Sequence, residues 1–495
     1  MEGWHFRPRC PLAALSLGLA GFGAVAGAAY ATVADKATVT ISNYQAGDQL
    51  TAYRILNIES EDEGKFVYSV YATNKDALKA GLVGIGATVA DDATDADLIK
   101  LVLDNLTDTN VETFAKAFIA ASPTAEADTI GATGDVTQGY YLFAHTTIGT
   151  DSRDTRSRYM VDTVGAEGLT ITLKNGTVTL EKKVQDNGDP NAPEGQGNGE
   201  WNDSADWALG DTVPFQLTGT LPAEYDEYET YFYSFNDTLD AGLTFDKSSV
   251  NVMSGDADLT SCFTVTEGSP ITIATEDLKA CDTAGALTSN SEIVVTYNAT
   301  LNENAVIGTG GNWNKANLTF SNNPYQQSDG DKGTTPTDQV VVFTWNFDGT
   351  KTFDITPNDN DLPVFKLTNN STGKVYENLT VTKQGDAYKF GVDRIDAGNY
   401  TLEETYTPAG FTKADNVTFD IVANHDVTSD QPTATLTVTG ATLNGTGAAT
   451  TILNKGGSKL PETGGMGTTI LYTVGGAIVL MAGIGLAVAL RRRQA

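Results

Sequence analysis

Apolar and polar residues alternate in short runs along most of the chain between residues 35 and 456, and clusters of Asn, Asp and Gly separate these runs. A period of two residues is typical of strands that bury one face of a sheet. One helical stretch interrupts the pattern at 95–121, where apolar residues recur at the spacing of one helix face. The pattern predicts a mainly β chain built from β-sandwich modules. The alternative, a single β-solenoid, requires a fixed repeat period, which the sequence does not show.

The strand runs divide into three consecutive units. We place these units at 35–175, 176–338 and 339–456. The second unit begins with the alternating run 178–184 and carries an insert at 186–203, rich in Asn, Gly and Pro, which is predicted to be a surface loop. The third unit is predicted to begin with the apolar run 340–343.

The N-terminal residues 1–31 have the pattern of a secretory signal peptide. Arg7 and Arg9 precede an apolar, small-residue stretch that ends in Ala29-Tyr30-Ala31, and cleavage is expected after Ala31 or Ala34. The alternative is an anchor that stays in the membrane, but several glycines and the small-residue site weigh against it. The pattern predicts that the chain is exported.

The C-terminal region contains an uncharged apolar segment at 470–490, followed by the basic tail 491–495. At about 1.5 Å per residue, a helix of this length can cross a hydrocarbon core of about 30 Å. Positive charge favours the cytoplasmic side of a membrane. We therefore expect one transmembrane helix, with all preceding residues outside the cell.

The composition narrows the possible chemistry of this 495-residue chain. It has 31 Lys and Arg residues against 63 Asp and Glu residues, a formal net charge of -32, which argues against nucleic acid as a partner. Three cysteines and three histidines, none at metal-ligand spacing, predict neither a metal site nor a cofactor. Cys10 lies in the leader, so Cys262 and Cys281 are expected to form a disulfide in an oxidising compartment. Two separately buried thiols are the alternative.

Three polar residues of the second unit are predicted to face its core. Alternation places Lys182 between buried neighbours, Asn314 on the face of Ala316, and Asp237 on the face of apolar aromatic residues. Burial favours the neutral forms of an amine and a carboxyl group. A neutral lysine, a protonated acid and an asparagine held together without water can form a Lys-Asn isopeptide bond in a single turnover. The alternative is a buried Lys-Asp ion pair with the asparagine as a hydrogen-bond partner.

The second unit resembles the fimbrial isopeptide-formation domain of Gram-positive pilus backbone proteins. The resemblance rests on the segments 182–184, 237–245 and 314–324. It implies that Lys182 joins Asn314 with Asp237 as the acid that promotes the reaction. Asn322 lies on the same strand face as Asn314 and is an alternative partner.

The third unit resembles the collagen-adhesin-B-type domain, which is SpaA-like and prealbumin-like. The segment 400–411 is similar to the E-box of that family, Y-x-L-x-E-T-x-A-P-x-G-Y. The resemblance implies a bond between Lys351 and Asn454 promoted by Glu404, with Glu403 on the solvent side; ordinary surface charges are the alternative. Together the two resemblances imply tandem immunoglobulin-like and transthyretin-like sandwiches.

The segment 460–464, together with the apolar span and the basic tail, resembles a cell-wall sorting signal read by sortases. Its residues are Leu460, Pro461, Glu462, Thr463 and Gly464. The resemblance implies cleavage between Thr463 and Gly464 and transfer of the Thr463 carbonyl to an amine.

A candidate for that amine is Lys174, because the segment 169–175 occupies the place of the pilin motif V-x-V-Y-P-K-N. The Tyr-Pro pair of that motif is replaced by Thr172 and Leu173. An exposed lysine that protects a sheet edge is the alternative.

These features together predict a structural major subunit of a covalently polymerised pilus at the cell wall of a Gram-positive bacterium, supporting surface adhesion and not acting as an enzyme. The expected partners are class C-type and housekeeping sortases, other copies of the chain, peptidoglycan, and minor pilins or host surface ligands. The alternative is a single-copy anchored adhesin or minor pilin that binds a host ligand. A secreted hydrolase is less well supported, since His145 and His425 are isolated in the sequence and no G-x-S-x-G motif occurs.

Overall fold

The computed structural model describes residues 35–457 and 466–492, apart from 63–64, 188–198, 283–284, 286, 290 and 325–330. The predicted signal peptide and the sorting motif 460–464 lie outside the described residues.

The first unit combines two small sheets with three helices. One sheet has the order β5-β1-β8, with β8 parallel to β1, and the other has the order β3-β2-β6-β7 with β4 paired to β2. The strands are β1 (Lys36–Ser42), β2 (Gln49–Asp62), β3 (Lys65–Val70), β4 (Ala127–Ile130), β5 (Thr133–Thr137), β6 (Gly139–Thr147), β7 (Met160–Val164) and β8 (Leu169–Thr172). The helices are α1 (Lys75–Gly84), α2 (Asp95–Asn105) and α3 (Val111–Ala120).

The helical stretch predicted at 95–121 is therefore two helices, and α1 was not predicted. Asn110 explains the break, because its side-chain oxygen accepts from the Thr107 amide at 2.8 Å and its amide group donates to the Asn105 carbonyl. These bonds close the end of α2 and set a turn before α3.

The second unit is a sandwich of two sheets. One sheet has the order β10-β9-β12-β18-β14-β15, and the other has the order β11-β21-β19-β13-β17-β16 with β20 paired to β19. The strands are β9 (Leu180–Gln185), β10 (Trp201–Asn202), β11 (Ser204–Asp206), β12 (Thr212–Thr220), β13 (Tyr233–Leu239), β14 (Leu243–Ser254), β15 (Ala257–Asp258), β16 (Thr264–Thr266), β17 (Ile271–Thr275), β18 (Glu292–Leu301), β19 (Asn312–Ser321), β20 (Lys332–Thr334) and β21 (Asp338–Phe343). A short helix, α4 (Leu278–Cys281), follows β17.

The prediction of a surface loop at 186–203 is wrong at both ends of the segment. Asp186 at the start and Asn202 and Asp203 at the end are buried. The end is ordered because Trp201 and Asn202 pair with β9.

The boundary between the second and third units also differs from the prediction. Strand β21 belongs to the second unit, where it pairs with β19 and β11. Val340 and Val342 pack into the core of the second unit, whereas Val341 and Phe343 pack into the core of the third. A strand buried on both faces has no alternating polar residues that would show to which unit it belongs.

The third unit is a sandwich of two five-stranded sheets. Their orders are β25-β26-β22-β31-β30 and β24-β23-β27-β28-β29, and β22 and β31 are parallel neighbours. The strands are β22 (Trp345–Phe353), β23 (Val364–Asn369), β24 (Val375–Thr380), β25 (Thr382–Gln384), β26 (Ala387–Ile395), β27 (Gly398–Tyr406), β28 (Val417–His425), β29 (Ala434–Thr439), β30 (Thr442–Leu443) and β31 (Gly447–Asn454).

A C-terminal helix, α5 (Met466–Arg492), includes the predicted span 470–490. Within the part of the chain that the structure describes, no helix is both long enough and apolar enough to cross a membrane. The transmembrane assignment therefore stays a prediction. The prediction of a mainly β chain of tandem sandwiches is confirmed.

Candidate functional site

The core of the second unit contains a lysine with no solvent exposure. Strand β9 alternates so that Lys182 points inward, and its exposed fraction is 0%. Its Nζ donates to both carboxylate oxygens of Asp237, at 3.0 and 2.9 Å, and lies above the rings of Phe215 and Tyr297. Burial lowers the pKa of Lys182, and the charge of Asp237 opposes this shift only in part.

Tyr297 on β18 connects the lysine and the acid to the asparagine. Its hydroxyl donates to Asp237 Oδ2 at 2.5 Å, and accepts from Lys182 Nζ at 3.2 Å and from Asn314 Nδ2 at 2.6 Å. Burial, and then the charge of Asp237, raise the pKa of Tyr297 well above its ordinary value, so the hydroxyl keeps its proton. Tyr297 was not identified from the sequence, where its place in the alternating run of β18 was the only signal.

Asn314 is also fully buried and lies on β19, beside the strand that carries Asp237. Asn314 pairs with Leu239, and Asp237 pairs with Ala316 in the same register. Among the described residues, Asn314 Oδ1 has no hydrogen-bond partner. The alternative partner Asn322 is eight residues further on, about 26 Å along an extended strand, so it is remote from the lysine. The structure thus brings Lys182, Asp237 and Asn314 together.

The third unit contains a second buried group of the same residue types. Lys351 on β22 is 1% exposed, and its Nζ donates to the carbonyls of Thr352 at 2.8 Å and Ile452 at 2.9 Å. Burial lowers the pKa of Lys351 to about 8, and the charge of Glu404 opposes the shift. Asn454 lies on the parallel neighbour β31, opposite Phe353 in the register.

Glu404 reaches this asparagine from the facing sheet. Its Oε1 accepts from Asn454 Nδ2 at 2.7 Å, and its Oε2 accepts from the amide of Ala414 at 2.7 Å. Glu404 and Asn454 are 1% and 0% exposed, which excludes the alternative of ordinary surface charges. Glu403 points the other way and forms ion pairs with Lys366 at 3.0 Å and Lys413 at 3.1 Å.

Lys174, the candidate intermolecular lysine, is exposed and follows strand β8. The neighbouring Leu173 is buried, and the backbone amide of Lys174 donates to Ser157 Oγ at 2.7 Å. The backbone is therefore held in place while the side chain is accessible.

The predicted disulfide is not formed. Cys262 and Cys281 are free thiols that hydrogen-bond to each other, and Cys281 Sγ also donates to the Asp277 carbonyl at 3.5 Å. Burial, and then the hydrogen bond to Cys281, raise the pKa of Cys262 to about 11, so the protonated thiol is favoured. The two residues are nevertheless neighbours, which the alternative of separate thiols did not anticipate.

Three family models match successive parts of the chain. Residues 209–324 match the Cna-B-like domain of Gram-positive pilin backbone subunit 2. Residues 357–435 match the SpaA prealbumin-like fold domain, and residues 452–495 match the LPXTG cell wall anchor motif.

Similar proteins and structures cover most of the chain. The trypsin-resistant surface T6 protein of Streptococcus pyogenes serotype M6 is 24% identical over an alignment of 421 residues, which covers 79% of this chain and 72% of that protein. The structure of the T6 backbone pilin of S. pyogenes matches 86% of this chain and 99% of its own, at 15% identity and a TM-score of 0.55, and thus shares its fold. The major pilin SpaD of Corynebacterium diphtheriae matches 87% of this chain and 100% of its own, at 14% identity and a TM-score of 0.46.

Proposed function

We propose that this chain, which belongs to the Gram-positive pilin backbone subunits, is the repeating structural subunit of a covalently polymerised, cell-wall-anchored pilus. The observation that carries the proposal is the order of the matched segments: a pilin backbone domain, a prealbumin-like domain and an LPXTG anchor motif. The chain acts as a substrate of sortase and as a structural protein. Surface adhesion and colonisation are the expected use of such a fibre.

The buried group in the second unit supports self-formed cross-linking. In the proposed reaction, neutral Lys182 Nζ attacks Asn314 Cγ and forms a new amide bond. The bond from Cγ to Nδ2 breaks, and Nδ2 leaves as ammonia after taking a proton. Asp237 contacts the amine that loses a proton, and Tyr297 connects Asp237 to the leaving nitrogen, so the pair provides a path for that proton.

The group in the third unit supports the same reaction between Lys351 and Asn454. Glu404 already holds the leaving nitrogen of Asn454. The lowered pKa of Lys351, about 8, leaves an appreciable neutral fraction of the amine at neutral pH. No water competes for the amine or the amide, because all three side chains are buried.

The two bonds would have different mechanical effects. A Lys182-Asn314 bond would join the two sheets of the second unit, since β9 and β19 belong to different sheets. A Lys351-Asn454 bond would join the first and last strands of the third unit, which are parallel neighbours. Tension applied to the ends of the third unit would then pass across this bond and leave most of the sandwich unloaded.

Polymerisation would use the exposed Lys174 as the acceptor. A sortase would cleave after Thr463, and the Thr463 carbonyl would form an amide with Lys174 Nζ of another copy. A class C-type sortase would perform this step, and a housekeeping sortase would attach the finished fibre to peptidoglycan. Minor pilins and host ligands are further expected partners.

The experiment that tests the proposal is a denaturing gel of cell-wall extracts, probed with antibody to this chain, for wild type, Lys174→Ala and Lys36→Ala. Lys36 is an exposed lysine of the same unit and serves as the matched control. A boiling-resistant ladder that collapses only in Lys174→Ala supports a shaft subunit with Lys174 as acceptor. A ladder in all three strains would show that another lysine is the acceptor. A single wall-linked species in wild type would favour the anchored adhesin.

A further inference from the structure

A second cluster of buried polar residues lies between the second and third units, away from both cross-linking groups. Asp186 follows β9 and Asp206 ends β11, both in the second unit, whereas His425 ends β28 of the third unit. All three are buried, and one ligand atom from each lies within 4.8 Å of the other two. Although His425 is isolated in the sequence, it faces two carboxylates in the fold.

We propose that Asp186, Asp206 and His425 form a binding site for a zinc ion that ties the second unit to the third. The distances from His425 Nε2 are 3.4 Å to Asp186 Oδ2 and 3.7 Å to Asp206 Oδ1. Bonds of about 2.0–2.2 Å from zinc to nitrogen and oxygen place neighbouring tetrahedral ligands about 3.3–3.5 Å apart. Both spacings from His425 Nε2 are close to those of a tetrahedral site, and the two carboxylate oxygens lie within 4.8 Å of each other.

The hydrogen bonds around His425 prepare its ring to bind a cation. Ser204 Oγ donates its only proton to the Asp426 carbonyl, and it lies 2.7 Å from His425 Nδ1. Nδ1 must therefore be the donor in that contact, which leaves Nε2 facing the two carboxylates. A metal-bound histidine usually donates its other ring N–H to an oxygen in this way.

Asp206 is held in a similar manner. Its Oδ2 accepts from Trp345 Nε1 at 2.9 Å and from the amide of Ala397 at 2.7 Å, so its Oδ1 is the oxygen directed toward His425. Both donors belong to the third unit. The carboxylate thus has a fixed orientation before any ion arrives.

The charges of the cluster also favour a divalent cation. Asp186 and Asp206 bring two carboxylates to His425, and a single imidazolium can neutralise only one of them. A zinc ion would neutralise both and would release the Nε2 proton from His425.

The test measures zinc binding to the untagged ectodomain, residues 32–463, which contains every strand of the three units. After treatment with a chelator, the wild type, His425→Gln and His145→Gln proteins are titrated with zinc chloride. His145 is the matched control, because it is a buried histidine paired with Asp48 in the first unit. We expect one zinc ion per wild-type chain, unchanged binding in His145→Gln, and at least about 100-fold weaker binding in His425→Gln.

Two further measurements keep the test decisive if His425→Gln folds poorly. Asp186→Asn keeps the size of the side chain and should weaken zinc binding in the same way. Cobalt bound to wild type should show the intense visible absorption of a tetrahedral site. The proposal is overturned if the chelator-treated wild type binds no added zinc or if all variants bind zinc equally. It is also overturned if cobalt shows only the weak absorption of an octahedral surface ion. The cluster would then be an imidazolium-carboxylate ion pair.

Discussion

Lys182 Nζ lies 2.9 Å from Asp237 Oδ2 in the core of the second unit. Both residues are sealed from solvent there, with exposed fractions of 0% and 1%. The charge of Asp237 favours the ammonium form of Lys182, whereas burial favours its neutral amine and lowers the pKa of Lys182. A transfer of one proton from the ammonium to the carboxylate converts a buried ion pair into a nucleophile and an acid. The same contact can therefore be a resting ion pair or the start of a condensation.

Intact mass distinguishes these two states. The wild-type ectodomain should be lighter than its sequence mass by about 34 Da, the loss of one ammonia of about 17 Da from each of two groups. Asp237→Ala should be lighter than its own sequence mass by only about 17 Da, because the second unit loses its proton acceptor while the third unit still reacts. A wild-type protein of full sequence mass would contradict both cross-links.

Tyr297→Phe should slow the reaction of the second unit without removing the lysine or the acid. The phenylalanine keeps the ring stacked on Phe215, but the connection from Asp237 to the asparagine amide is lost. The measurement is the time course of the mass decrease after cell-free synthesis.

The matched control for Tyr297→Phe is Tyr233→Phe. Tyr233 lies in the same core, and its hydroxyl donates to the Thr220 carbonyl at 3.1 Å. The control should react at the wild-type rate. Equal rates in both variants would show that the Tyr297 hydroxyl has no part in the reaction.

Alternation along single strands predicted the inward positions of Lys182, Asp237 and Asn314, because a polar residue on an apolar face is conspicuous. The group in the third unit was predicted only from the resemblance of the segment 400–411 to a family motif. Tyr297 was missed because a tyrosine on such a face is common and its hydroxyl gives no sequence signal. The zinc cluster was missed because Asp206 and His425 are far apart in the chain and meet only after two units pack together. The same packing buries both faces of β21, which concealed the boundary between these units.

Glu404→Ala should destabilise the third unit, whereas Glu403→Ala should have little effect. Without the acid, the closed loop between Lys351 and Asn454 is not formed, and a cross-link across about 100 residues contributes about 5 kcal/mol. Glu403 makes only solvent-exposed ion pairs, which contribute little to stability. Intact mass and thermal unfolding are measured on the same samples. A stable Glu404→Ala protein that is lighter than its own sequence mass by the same amount as wild type would show that the acid is dispensable.

The two thiols of the second unit should form a disulfide when they are oxidised. Cys262 and Cys281 are hydrogen-bonded neighbours, so a mild oxidant should join them with a mass decrease of about 2 Da and little change in fold. The measurement is intact mass before and after reduction, with Cys281→Ala as the control that cannot form the bond. Resistance of the wild type to oxidation would show that the thiols are held apart in solution.

Glu224 gives the chain a dependence of stability on pH. It is 2% exposed, and burial raises its pKa from 4.5 to about 8 in the folded state. Because the folded pKa lies above the unfolded value, the protonated acid contributes stability that is full below about pH 4.5 and is lost as the pH rises toward 8. Glu224→Gln removes this titration, so it should raise the melting temperature clearly at pH 8 and little at pH 4.5.

The exposed Glu229→Gln is the matched control for this comparison, and it should leave the melting temperature close to wild type at both values of pH. The deciding quantity is the increase in melting temperature from Glu224→Gln at pH 8 minus the increase at pH 4.5. A simple packing effect of the amide would raise the melting temperature equally at both values of pH. An equal gain, or a loss that grows with pH, would show that Glu224 is ionised and well solvated in the folded protein.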